Sequence, residues 1–139
     1  MILVYSYYVM DLIHKGHLEM LRNAKAIAGP DGRLIVGILT DAAVMEKKSK
    51  PLMRFDNRAE LARSIECVDL VVAQETYSPL SNVQKIKPDI LMESTSHTDE
   101  AIQEARKCVA EYGGKVIVVP YFPGYSSTKI KSALKRNKE

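Results

Sequence analysis

Three histidines occur in the 139 residues of the chain, and two of them lie together in "HKGH", residues 14–17. His14 and His17 are three apart, with Gly16 between them. An apolar run precedes the pair and a helical pattern follows it, so the two imidazoles fall at a strand-to-helix turn. Such a turn offers free backbone N–H groups and the positive end of a helix dipole, and both attract anions. Gly16 would let a phosphate come close to the backbone. Two imidazoles aimed at one anion would add side-chain donors, which makes the turn a candidate phosphate-binding corner. Two other readings stand beside it: histidines incidental to the turn, and a fragment of a zinc site. Two ligands alone do not make a zinc site, and Cys67 and Cys108 fall in predicted helices away from the strand ends.

A second stretch with chemical content is "GYSSTKIK", residues 124–131. Ser126, Ser127 and Thr128 open a predicted helix, where hydroxyls cap the N-terminus and donate to phosphate oxygens. Lys129 and Lys131 add positive charge. The plain alternative is an ordinary Ser/Thr cap followed by a solvated basic helix.

The elements that must position these groups follow from apolar periodicity. Runs of strand length at 2–9, 33–40, 69–74, 89–94 and 115–121 alternate with predicted helices over 17–28, 57–68, 80–86, 98–112 and 126–137. "GPDG" (29–32) and Gly113-Gly114 are stops, and Asp56 or Asn57 is a plausible cap for the second helix. Residues 45–56, polar and basic with one proline, read as a loop. Strands apolar on both faces and alternating with helices predict a single α/β domain over 1–139, a five-stranded parallel Rossmann-like sheet flanked by helices. Ligands in such sheets bind beyond the carboxyl ends of the strands. The formal net charge of +3 is too mild, and too evenly spread, to point to nucleic acid. "MILVYSYYVM" lacks a basic leader and is too short to span a bilayer, and the two cysteines have no metal-type spacing. A reduced, cytoplasmic protein with no membrane partner is the expectation.

Taken together, "DLIHKGH" and "SSTKIK" at the two ends of a parallel α/β domain resemble the small nucleotidyltransferases of the cytidylyltransferase family. These carry an HxGH motif at the first turn and an (I/S)(S/T)TxI(R/K) motif at the last helix. The likeness extends to glycerol-3-phosphate cytidylyltransferase and to enzymes of phosphonates and alcohol phosphates. It also covers "NRAELARSIECVD", similar to the arginine-bearing segment of the family, which makes Arg58 a matched position.

The resemblance implies transfer of CMP from CTP to a small phosphorylated or phosphonylated acceptor, with release of pyrophosphate. An acceptor oxygen that is already ionised needs no general base, so catalysis is positioning and charge stabilisation. His14 and His17 would act on the triphosphate, with Lys47, Lys48 or Lys50 closing over the α-phosphate from the 45–56 loop. Nucleotide contacts would come from Val9, Met10, Asp11, Gly16, Arg58, Tyr125, Ser126, Ser127, Thr128 and Lys131. Mg²⁺ is the implied cofactor, ligated mainly by substrate and water. A homodimer is implied as well, and Met-, Leu- and Ala-rich helix faces agree with it. For Asp11 the plainer alternative is orienting nearby backbone or imidazole, and for the loop lysines a solvated charge run.

The sequence departs from the family in three places. "YVMD" (8–11) replaces a "G(T/S)FD" approach, with Tyr8 at a glycine position. "YFPGYSS" (121–127) replaces an "RTEGIST" type of segment, with Tyr121 at an arginine position. "ESTSHTD" (93–99) replaces "GDDW", so Glu93, Ser94, Thr95, Ser96 and His97 become the candidate acceptor contacts. His97 would suit a phosphate or phosphonate, and Glu93 a cationic amine. Candidate acceptors therefore include 2-hydroxyethylphosphonate, 2-aminoethylphosphonate and alcohol phosphates. An ATP-using adenylyltransferase and a catalytically silent nucleotide-binding module are the competing readings.

Overall fold

The computed structural model describes residues 1–120. Five strands, β1 (Leu3–Tyr8), β2 (Arg33–Leu39), β3 (Leu70–Gln74), β4 (Ile90–Ser94) and β5 (Lys115–Val119), form one all-parallel sheet in the order β3-β2-β1-β4-β5. The chain builds outward from β1 through β2 to β3, then returns to lay β4 along the other side of β1. The switch point of the sheet is therefore the β1/β4 gap, where a crevice opens beyond the strand ends.

Alternation along the strands sets the two faces. Val4, Leu34, Val36, Ile38 and Met92 point to one core, filled by Leu21 and Ala24 of α1 (Lys15–Ala28) and by Ala59 and Ala62 of α3 (Phe55–Arg63). Tyr5, Ile35 and Leu91 point to the other, filled by Val83 of α4 (Leu80–Ile86) and by Ala105 and Val109 of α5 (Asp99–Ala110). Successive residues Tyr7 and Tyr8 thus leave β1 on opposite faces. Gly37 on β2 gives room to Tyr5: a Cβ there would lie 2.0 Å from the Tyr5 hydroxyl. That hydroxyl donates to Gln74 Oε1 at 2.6 Å and accepts from Asn82 Nδ2 at 3.0 Å, which fixes the ring that stacks beside Tyr7.

Three boundaries differ from the sequence reading. The expected loop 45–56 is shorter, because α2 (Asp41–Met45) forms behind Thr40, whose hydroxyl accepts from Ala43 N–H, and α3 starts at Phe55. α3 ends at Arg63, so Cys67 lies in a turn and not in a helix. β5 stops at Val119 before Pro120, which has no N–H to give a ladder. The expected helix 126–137 lies outside the described residues. No described helix is long and apolar enough to cross a membrane.

Candidate active site

A cavity of about 800 Å³ lies over the carboxyl ends of β1 and β4. His14 and His17 line one end of it. His14 is the N-cap of α1, and its Nδ1 accepts from Gly16 N–H at 3.1 Å. His17 Nδ1 accepts from His14 N–H at 3.2 Å. The two rings lie 4.0 Å apart between centroids. This reciprocal cap satisfies two N–H groups that a helix start otherwise leaves without partners. It also fixes the chemistry of both rings. An Nδ1 that accepts a hydrogen bond leaves the single proton of a neutral imidazole on Nε2, so each histidine is a donor there. Burial keeps both in that state: it lowers the pKa of His14, and burial together with the neighbouring His14 lowers His17 to about 4. Tyr8 meets His17 edge-on, with centroids 5.9 Å apart, so the tyrosine at the family's glycine position braces an imidazole.

The approach to this corner is a bend at Met10, whose φ of 58° is the left-handed region. A non-glycine residue there carries a cost on the order of 1 kcal/mol. Met10 is held by its buried side chain in the α1/α3 core. The bend aims Val9, Met10 and Asp11 at the cavity, where all three are wall residues.

Arg58 requires a correction. Expected at the nucleotide, it is fully buried away from the cavity wall. Its Nε donates to Met53 C=O (2.9 Å), one terminal nitrogen to Val9 C=O (2.7 Å) and the other to Asp41 Oδ1 (2.7 Å). A guanidinium with five N–H donors in a rigid fork suits such a three-way tie. Asp11 completes the clasp by accepting from Leu52 N–H and Met53 N–H, both at 2.8 Å. Of the two readings of Asp11, this geometry displays the backbone-orienting one. Both side chains tie the end of β1 to the segment that carries the loop lysines. Lys48 and Lys50 line the cavity, whereas Lys47 does not. Lys47 Nζ sits 5.1 Å and Lys48 Nζ 6.0 Å from the centre of the Tyr77 ring, cation–π contacts to a residue of the wall.

The opposite end is built by Tyr7, Ser94, Ser96 and His97, all on the wall. Glu93 and Thr95 are not, which corrects their expected place as direct contacts. Strand alternation turns the Glu93 side chain inward, under Tyr7. Its carboxylate accepts from the Tyr7 hydroxyl at 2.8 and 3.0 Å and lies 3.7 Å from His97 Nε2. Thr95 is exposed, and its N–H pairs with Val119 C=O. Tyr7, Met20 and Tyr77 line the cavity without having been singled out from the sequence. Tyr7 reads there as one more apolar strand residue, and only its position last but one in β1 hints at the site.

Tyr125, Ser126, Ser127, Thr128 and Lys131 lie outside the described residues. Among the described residues no group of three or more His, Cys, Asp and Glu side chains is placed to hold a metal. The donor set of the cavity, imidazoles, hydroxyls and lysines, suits anionic oxygens.

The sequence profile of the family described as Cytidylyltransferase-like matches residues 9–133. The chain is 36% identical over 122 residues to the bifunctional protein HldE of Caulobacter sp. (strain K31), covering 86% of this chain and 24% of that protein. It is 35% identical over 130 residues to HldE of Rhodopseudomonas palustris (strain BisB18), covering 92% and 26%. The chain thus spans about a quarter of the length of these curated relatives. In fold it matches a solved lipopolysaccharide core biosynthesis protein from Thermoplasma volcanium, with a TM-score of 0.72, 25% identity and coverage of 88% of this chain and 97% of that one. A protein of unknown function from Archaeoglobus fulgidus shares the fold, at a TM-score of 0.62 and 18% identity over 85% of this chain and 96% of that one.

Proposed function

The chain belongs to the cytidylyltransferase-like family of nucleotidyltransferases, and on that premise we propose that it transfers a nucleoside monophosphate from a triphosphate to a small phosphorylated or phosphonylated acceptor. CTP is the donor that the motifs imply. The observation that carries the reading is the reciprocal His14–His17 cap. It fixes two Nε2–H donors beside a helix N-terminus whose first turn holds no acidic residue.

In this reaction an ionised acceptor oxygen attacks the α-phosphorus, the bond to the bridging oxygen breaks, and pyrophosphate leaves with the electron pair. No side chain has to remove a proton. Neutral imidazoles do the remaining work, because they donate to the charge that grows on the leaving group in a site where no reorganisation is needed. Lys48 and Lys50 supply cations from the loop that Asp11 and Arg58 hold. Mg²⁺ enters with the triphosphate as part of the substrate, ligated by phosphate oxygens and water. A homodimer in the cytoplasm belongs to the same proposal.

A second reading keeps the chemistry and changes the substrates: ATP as donor and a sugar phosphate as acceptor. The likeness to a lipopolysaccharide core biosynthesis protein favours it, since such a core is built from sugars. Pyrophosphate release with Mg²⁺, crossing CTP and ATP against phosphonates, alcohol phosphates and sugar phosphates, tests both. Release that needs one donor, one acceptor class and both histidines is the expected result. Nucleotide binding without release for any pair overturns the transferase and leaves a silent binding module.

A further inference from the structure

The end of the cavity opposite His14 and His17 holds a buried acid that the transfer chemistry does not use. Glu93 is 4% exposed, and burial pushes its carboxyl up to about 7, although the Tyr7 hydrogen bond opposes that rise. His97 is half-buried beside it, on the cavity wall. Its Nε2 lies 3.7 Å from Glu93 Oε2 and 3.4 Å from the Tyr7 hydroxyl, and its ring packs against the Tyr7 ring at 5.6 Å. Burial, and then Lys48 and Lys47 of the neighbouring loop, hold His97 below its ordinary pKa. The charged and titratable groups that bear on His97 are thus Glu93 from β4, Tyr7 from β1 and these two lysines. Both members of the pair are biased toward their neutral forms. At 3.7 Å the pair is beyond hydrogen-bond reach, but close enough for a charge on one group to favour the opposite charge on the other.

We propose that Tyr7, Glu93 and His97 form a proton-coupled recognition site for an oxyanion of the acceptor, with His97 as the contacting group and Glu93 as its buried counter-charge. The inference deepens the function proposed above and rests on it. When an oxyanion enters, His97 Nε2 takes up a proton from solvent and Glu93 Oε2 releases one to solvent, across a gap of 3.7 Å; if Glu93 is already ionised, only the uptake occurs. The ring then carries Nε2–H toward Glu93, a second N–H at Nδ1, and a positive charge on the cavity wall. Glu93 becomes the carboxylate that balances this charge, and the Tyr7 hydroxyl stays its donor. The hydroxyls of Ser94 and Ser96, 3.1 Å apart, lie on the same wall and give the oxyanion neutral partners. The arrangement disfavours an acceptor amine at Glu93. The carboxylate lies behind the wall with Tyr7 donating to both of its oxygens, and the loop lysines make this end positive.

The chain has only three histidines, so their ring C–H signals can be followed singly by NMR, with His97→Asn assigning His97. The probe is methylphosphonate, titrated into the protein without nucleotide. Expected is a rise of about one pH unit in the His97 midpoint, lost in Glu93→Gln and reduced in Tyr7→Phe, with the His14 and His17 signals of both variants at their wild-type positions. A His97 midpoint that does not move with methylphosphonate overturns the proposal, and so does a rise that survives Glu93→Gln. If Glu93→Gln fails to fold, Tyr7→Phe decides: a rise of wild-type size in that variant overturns the coupling. Failure of the transferase reading shows elsewhere, as absence of pyrophosphate release, and leaves this titration unchanged.

Discussion

At one end of the cavity, His14 Nδ1 accepts from Gly16 N–H and His17 Nδ1 from His14 N–H, and burial holds both rings toward the neutral form. At the other, His97 turns Nε2 toward a buried carboxyl that titrates near neutrality. All three are imidazoles on one cavity wall, yet the first two are fixed donors and the third can change charge. The difference comes from the partner. A backbone N–H can only donate, so it locks a tautomer. A carboxyl either donates or accepts, so it leaves the proton free to move.

The largest test of this contrast is removal of a fixed donor. His14→Ala and His17→Ala should each lower the rate of pyrophosphate release on the order of 10²–10³-fold, with a smaller effect on nucleotide binding. A loss below tenfold in both would mean that the cap is structural only. Next is the clasp behind that end. Arg58→Met leaves the carbonyls of Val9 and Met53 buried without their donor and should cost about 3 kcal/mol in urea unfolding. Because the clasp holds the lysine loop, the KM for the triphosphate should rise as well. Gly37→Ala, on the side of the sheet that carries Tyr7, should cost about 1–3 kcal/mol, since its Cβ displaces the Tyr5 hydroxyl from Gln74.

The smallest effects, and the ones that separate the two ends most sharply, are in pH. The folded pKa of His17, about 4, lies below its ordinary 6.5, so the unfolded chain binds the extra proton between these values. Its contribution is complete above pH 6.5 and is lost as pH falls toward 4, with His14 and His97 acting in the same direction. Glu93 acts in the opposite direction. Its folded pKa of about 7 lies above its ordinary 4.5, so stability declines as pH rises through that window. Urea midpoints of His17→Asn and Glu93→Gln, read from pH 4 to 8, should show the acid-side loss reduced in the first, with the remainder due to His14 and His97, and the neutral-side loss removed in the second. Identical profiles would abolish the distinction between the ends.

Much of the architecture and one corner of the site were legible in the chain alone. Apolar runs separated by helical periodicity determined a parallel α/β sheet, because only strands buried on both faces read that way. "HKGH" after the first such run placed both histidines at the ligand end of the sheet, because the topology of any such sheet puts the first turn there. Local signals alone sufficed for both. What the tertiary structure decided are the contacts between residues far apart in sequence. Arg58 and Asp11 are 47 positions apart in the chain, yet they meet the same short segment, and this turns an expected nucleotide ligand into a clasp. Glu93 reads as a polar residue near the end of a predicted strand and a candidate acceptor contact, but strand alternation carries it under Tyr7, a partner 86 positions away. Periodicity records which way a side chain turns relative to its own element. What it meets there, and hence its charge, depends on packing between elements, which no spacing in the sequence encodes.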